Sequence, residues 1–414
     1  MAASPTLLWC ARLVKLVCAL ALSGCAAVPR GVLDTGTDFA QDALTELPAA
    51  PSYRIGIQTE VTGSGAQIGD LSIRAARLAI EQINASGGID GVPLELVVRD
   101  CRSDVATALA EYHAAVESDQ LVALLGPVKS AYAVPMVQEH LGDTLPLFIG
   151  ATSTTLTEQG DQNLFQMRPS IKVTAAAMVA FAAERLGTAR AGIIYDADLH
   201  GSNGALHLAE ALRQHQLDIV TEIAYTTATV DYDPLARQVA AAKLDTIFIY
   251  GTNPTDIGLL LRALRYRVPN ATIVTSPGGS SVTTHNLAGD AQDGIYVAVD
   301  SQLSGSNDGA RFEQAFRDRF GLAPDTYVIW YYDAVYLLAE TLRAQQGDPT
   351  ALGEALRGTS HQGAQGRYHF NAQGEGLHSV VLASMSGGAP RLIGMFDERG
   401  FRAMPAASAT VELP

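Results

Sequence analysis

Basic residues are scarce in this chain. Lys and Arg number 28 against 43 Asp and Glu, a net charge of −15 over 414 residues. That sign excludes nucleic acid as a partner, because a phosphate backbone demands a basic surface. Cysteine is scarcer still, with only four residues, and three of them (Cys10, Cys18, Cys25) fall within the first 25 positions. Cys101 then stands alone in the body of the chain, so no intramolecular disulfide is expected. It reads as a small buried hydrophobe in preference to a reactive thiol. After residue 25 no apolar run is long enough to span a bilayer. Also missing are a Gly-x-Ser-x-Gly elbow, a Gly-rich P-loop with Lys, a Ser-x-x-Lys pair and histidines at metal-ligand spacing. The expectation is a protein that is not an enzyme and holds neither metal nor cofactor.

What the N-terminus does have is an export signal. Arg12 and Lys15 precede the apolar run Leu16–Ala21, and no acid occurs before Asp34. Leu22-Ser23-Gly24-Cys25 resembles a bacterial lipoprotein box, which implies lipidation at Cys25 and removal of residues 1–24. The alternative is an ordinary secretory signal with Cys25 incidental. Cleavage before Cys25 would remove Arg12 and Lys15 but no acid, leaving a net charge of −17. Residues 25–52, with Pro29, Gly31, Gly36, Pro48 and Pro51, read as a tether. The mature chain is expected on the periplasmic or cell-surface side of a bacterial membrane.

From Tyr53 onward, strand and helix patterns alternate. Tyr53–Gln58 and Leu94–Val98 read as strands, and Ile73, Ala76, Ile80 and Ile83 share one face of the helix between them. Further strands are expected at Arg190–Tyr195, Ile219–Tyr225, Thr246–Tyr250 and Thr272–Thr275, with helices near 203–215, 232–242 and 255–267. Such alternation means a parallel sheet covered by helices. One sheet would need too many strands, so the fold class is α/β with two Rossmann-like lobes. Glycine turns between short apolar runs from Gly366 to Phe396 read as hairpins or returning strands.

Two strand-to-helix corners carry most of the functional information: Leu124-Leu125-Gly126-Pro127-Val128-Lys129-Ser130 and Leu147-Phe148-Ile149-Gly150-Ala151-Thr152-Ser153-Thr154-Thr155. Each presents backbone N–H groups and hydroxyls at a helix start, which suits a carboxylate or other small anion. Neighbouring strands of a parallel sheet would bring both to one edge, where open α/β folds bind ligands. Taken alone, each serine reads as a helix cap, worth about 1 kcal/mol.

Over residues 53–397 the chain resembles the type I periplasmic solute-binding proteins of the leucine/isoleucine/valine-binding family, which serve ABC importers. The resemblance rests on ordered stretches: Gln67-Ile68-Gly69-Asp70, Ile83–Gly91, Gly126–Ser130, Phe165–Ser170, Asn286–Gly289, Tyr332–Val335 and Gly366–Phe370. It implies two lobes that close on a small polar solute (an amino acid, amide or carboxylate), joined by a three-segment hinge near Ser170, Ser301 and His378. The implied partition is 53–170 plus 301–378 for lobe I, 171–300 plus 379–397 for lobe II, and 398–414 as a C-terminal tail. Ser130 and Ser153 match the family's carboxylate-binding hydroxyls, with Ala151 and Thr154 beside them and His200, Asn253 and Gly278 facing them from lobe II. The implied partners are a small solute, an ABC permease and, through Cys25, a membrane.

Departures from the family pattern bear on the ligand. Family members that bind amino acids hold the ammonium with an acid just after a Pro, but here the stretch reads Ser276-Pro277-Gly278-Gly279-Ser280. No Asp or Glu occurs from Ala271 to Gly289. Asp198 or Asp256 would have to supply the charge from a neighbouring loop. Ile68, His200 and Asn253 stand at positions that are often tyrosines, and Lys129 stands where a partner for Cys101 could have been. His200 is either a cleft residue or a solvent-exposed loop histidine. The rival function is an envelope sensor or regulatory lipoprotein with the same fold and no transport role.

Overall fold

The computed structural model describes residues 51–301 and 306–404. The expected signal segment, Cys25, most of the tether and the end of the tail lie outside the described residues. In the first half of the chain the strands are β1 (Tyr53–Thr59), β2 (Leu94–Asp100), β3 (Ala123–Leu125), β4 (Leu147–Ile149) and β5 (Leu164–Gln166). Between them run α1 (Ala66–Ala85), α2 (Val105–Ser118), α3 (Ser130–His140) and the short α4 (Thr154–Thr157). All five strands pair in parallel, in the order β2-β1-β3-β4-β5. The central strands β3 and β4 are apolar throughout and fully buried, as strands covered on both faces must be.

After β5 the chain enters α5 (Ile171–Arg185), β6 (Arg190–Asp196), α6 (Leu199–Gln214), β7 (Asp218–Tyr225), α7 (Asp233–Ala242), β8 (Thr246–Tyr250), α8 (Pro254–Arg267) and β9 (Thr272–Thr275). A 3-10 turn at Pro277–Ser280, α9 (Val282–Ala288) and β10 (Tyr296–Val299) follow. The chain then returns to the first lobe with α10 (Asn307–Phe320), α11 (Ile329–Ala344), α12 (Leu352–Gly358), β11 (Ser360–Gln362) and β12 (Arg367–His369). It ends in the second lobe with β13 (Val380–Ser386), β14 (Ala389–Asp397) and β15 (Gly400–Ala403).

The second sheet has the order β15-β14-β13-β10-β9-β8-β6-β7. It is parallel from β10 to β7 and antiparallel where β13, β14 and β15 return. Its strands alternate between two cores: Phe248 and Tyr250 pack on the α5 side, while Ile247 and Ile249 pack on the α8 side. In the first lobe the α1 face made by Ile73, Ala76, Ile80 and Ile83 is buried against Ile55, Ile57 and the helix α11.

One detail differs from the sequence reading. Residues 400–403, assigned to a C-terminal tail, form an edge strand instead. Phe401 anchors it, with its ring 5.4 Å from that of Phe181 in the core. The second corner opens a helix of a single turn, α4. No helix among the described residues is long and apolar enough to cross a membrane.

Candidate functional site

Parallel strands end at one edge, and the residues that follow them meet there. In the first sheet these are Glu60 after β1, Gly126 after β3, Gly150 after β4 and Arg168 just after β5. In the second they are Asp196 closing β6, Gly251 after β8, Ser276 after β9 and Asp300 after β10. The two lobe-I corners are tied together, since Gly150 N–H donates to the Pro127 carbonyl at 3.2 Å.

Ser130 is the first residue of α3, with Lys129 at the N-cap, so it is not the cap that the sequence allowed for. Its hydroxyl is buried and makes no hydrogen bond among the described residues. Leaving such a group unmet costs about 1–3 kcal/mol. Ser153 occupies the N-cap position of α4 but makes no capping bond; its Oγ instead meets Thr155 Oγ1 at 2.9 Å. Ala151 is fully buried and its carbonyl accepts from Gln166 Nε2 at 2.9 Å. Thr154, also buried, begins α4 and its carbonyl accepts from Glu158 N–H.

Thr152, which the sequence reading passed over, makes the cross-lobe contact. Its Oγ1 lies 3.3 Å from His200 Nδ1. His200 sits in the first turn of α6 with its ring centroid 5.2 Å from that of Tyr250. Burial pushes its pKa down to about 4, and the Arg168 charge adds to this against the pull of Asp198. His200 is therefore neutral at physiological pH. Other contacts that join the lobes include Thr283 Oγ1 to Gln67 Oε1 at 3.4 Å and Ser281 Oγ to Asp325 Oδ2 at 3.1 Å.

Gly278 lies buried in the 3-10 turn. A Cβ there would stand 2.7 Å from Ile257 Cδ1 and 2.8 Å from the Tyr327 hydroxyl, so this close approach admits no side chain without movement. Tyr327 in turn lies under the Arg168 guanidinium, 4.8 Å from ring centroid to Cζ. Arg168 donates to the Gly150 carbonyl at 3.1 Å and to Asp300 at 2.5 Å. The side-chain oxygen of Asn253 caps α8 through Thr255 N–H at 3.0 Å.

Three buried aromatic rings lie beside these groups: Tyr250 against His200, Tyr327 under Arg168 and Trp330 against Gly150. Trp330 Nε1 is buried without a partner among the described residues, and it lies 2.4 Å from where a Cβ on Gly150 would stand. Arg168 carried a signal that went unused: it is the one charge in Leu164–Pro169, an otherwise uncharged stretch. Among the described residues no group of three or more His, Cys, Asp or Glu side chains could hold a metal.

Residues 52–389 match the sequence profile of the periplasmic binding proteins. The chain belongs to that family. Among curated relatives of this periplasmic binding protein is a leucine-, isoleucine-, valine-, threonine- and alanine-binding protein of Pseudomonas aeruginosa. The two are 24% identical over 329 residues, covering 79% of this chain and 88% of the relative. Solved structures with the same fold include a branched-chain amino acid transporter substrate-binding protein from Streptococcus pneumoniae in complex with isoleucine. It superposes with a TM-score of 0.74 at 22% identity, covering 82% of this chain and 98% of that one. A solute-binding protein of an ABC transporter from R. palustris, in complex with benzoate, gives a TM-score of 0.75 at 18% identity, covering 86% and 99%. These relatives are named as solute-binding proteins.

Proposed function

We propose that this chain is the extracytoplasmic solute receptor of an ABC importer, capturing a small polar ligand by closure of two lobes. The lobes comprise 53–170 with 301–378 and 171–300 with 379–397, and the hinge strands cross near Ser170, Ser301 and His378. Ser130, Ser153, Thr154 and the Ala151 backbone anchor an anionic or amide end of the ligand. His200 and Gly278 close over it from the second lobe, and Asn253 shapes the loop beside them. Lipid at Cys25 holds the receptor at the membrane beside its permease.

One observation carries this reading. Thr152 and His200 meet across the cleft at 3.3 Å while the neighbouring Ser130 hydroxyl stays buried and unmet by protein. A buried hydroxyl without a protein partner is free to bond a ligand. The test is calorimetric titration of the chain against amino acids, amides and small carboxylates. Scattering then follows the radius of gyration on saturation. Binding accompanied by contraction is the expected result, and turnover or no binding across the panel refutes it. Cys25→Ala is expected to move the protein from the membrane fraction to the soluble one.

A further inference from the structure

We propose that closure of the two lobes expels a proton from His200, so that the receptor binds its solute less tightly as the medium turns acid. This rests on the solute-receptor reading above and names a regulation of that site. What decides it is which groups travel together. His200 and Asp198, the N-cap residue of its helix, belong to the second lobe, as does Tyr250, whose ring lies 5.2 Å away. Thr152 and Arg168 belong to the first lobe and act on His200 where the lobes meet.

The two sides pull in opposite directions. Asp198 favours the imidazolium, whereas burial and the Arg168 guanidinium oppose it. Thr152 Oγ1, 3.3 Å from Nδ1, can donate or accept, so it covers the ring without choosing its charge. With the lobes in contact the opposing side prevails, and the pKa is pushed down to about 4. Parting the lobes removes Thr152 and Arg168 and admits water, but it leaves Asp198 beside the ring. The imidazole then titrates near its ordinary ~6.5 or above. The closed form thus has the lower pKa, so closure releases a proton between pH ~6.5 and ~4 and acid favours the open form.

Other shifted groups do not produce this sign. Asp196 is lifted to about 6, but the charges that act on it, Asp198 and Asp256, share its lobe. Asp333, also lifted to about 6, accepts from Ala364, Gln365 and Tyr368 within the first lobe. His140 pairs with Asp161, again within the first lobe. Asp300 and Asp325 do meet the opposite lobe, through Arg168 and Ser281. Burial raises both, so closure draws protons toward them. Release therefore points to His200, and uptake to those two carboxylates.

The test is calorimetry of the full chain in two buffers of unlike ionisation enthalpy. Leucine, propanamide and propanoate are the first probes, followed by the rest of the panel above. For the probe that binds, affinity at pH ~5.5 is expected to be about fivefold or more below that at pH ~7.5, with close to one proton released at the lower pH. Binding to His200→Gln should release none. No release, net uptake, or release unchanged in His200→Gln overturns the linkage and leaves the receptor reading intact. If His200→Gln does not bind, proton NMR of the wild type decides, since the variant's spectrum still identifies the His200 resonance. Its pKa should fall on saturation with the probe, and an equal pKa in the free and saturated chain overturns the linkage. Failure of the whole panel overturns both readings together.

Discussion

Arg168 and Asp300 meet at 2.5 Å, joining the residue that leaves the first sheet after β5 to the residue that leaves the second after β10. Both side chains are almost wholly buried, and the same guanidinium holds the Gly150 carbonyl of the second corner. One cation therefore links the second corner to the segments that follow β5 and β10. Arg168→Met leaves Asp300 as an uncompensated buried charge and is expected to cost about 3–5 kcal/mol in urea unfolding. Adding Asp300→Leu should restore most of that loss. A single variant as stable as wild type would contradict the assignment.

Ser130→Ala with Ser153→Ala separates anchoring from capping. Neither hydroxyl caps its helix, so the unliganded midpoint should stay near that of wild type. Affinity for the ligand found in the panel should fall at least about tenfold, or about 1.4 kcal/mol. Unchanged affinity refutes the anchor.

His140 is held in the charged form. Its Nδ1 lies 2.5 Å from Asp161 Oδ2 and its Nε2 lies 2.7 Å from the Leu145 carbonyl, both of which can only accept. Burial works against the charge, but the Asp161 hydrogen bond and charge outweigh it and the pKa is raised. The unfolded histidine titrates near ~6.5. The stabilisation is thus complete below that pH and is lost as pH rises through the higher folded value. His140→Gln should cost more stability at pH ~6 than at pH ~9; a difference independent of pH would argue against the imidazolium.

His200 runs the other way. With a folded pKa of about 4 it resists a proton that the unfolded chain accepts near ~6.5. Its contribution is present at neutral pH and declines as pH falls from ~6.5 toward ~4. Proton NMR of the imidazole is the direct check, and a titration near ~6.5 would place the ring in open solvent.

Cys101 is fully buried and burial pushes its thiol up to about 12. A thiol reagent at pH ~8 should leave the folded protein unlabelled and label one thiol in the body of the chain on unfolding. Rapid labelling of the native protein would mean that the first lobe opens around it.

The elements were legible because their signals are local. Period 3.6 along Ile73, Ala76, Ile80 and Ile83, unbroken apolar runs in β3 and β4, and glycine at the corners each declare themselves within a few residues. The second sheet's edge strand at 400–403 was missed because its reason is a distant partner, Phe181, which no local pattern announces. Much the same holds for the site. The hydroxyl corners could be found from spacing, but Thr152, Arg168 and Trp330 could not be ranked without knowing what they touch.

What the sequence determined by itself is the order of strands and helices and the chemistry available at each strand end, since these follow from side-chain period and backbone preference. Tertiary structure decided which of those groups remain free. Asn253 is spent on a helix cap, Asp300 on Arg168 and Glu60 on Lys129, while Ser130 and Trp330 keep donors unmet. Hydrogen-bond satisfaction is a property of three-dimensional neighbours, so the selectivity of a cleft is settled only when distant residues are brought within about 3 Å of one another.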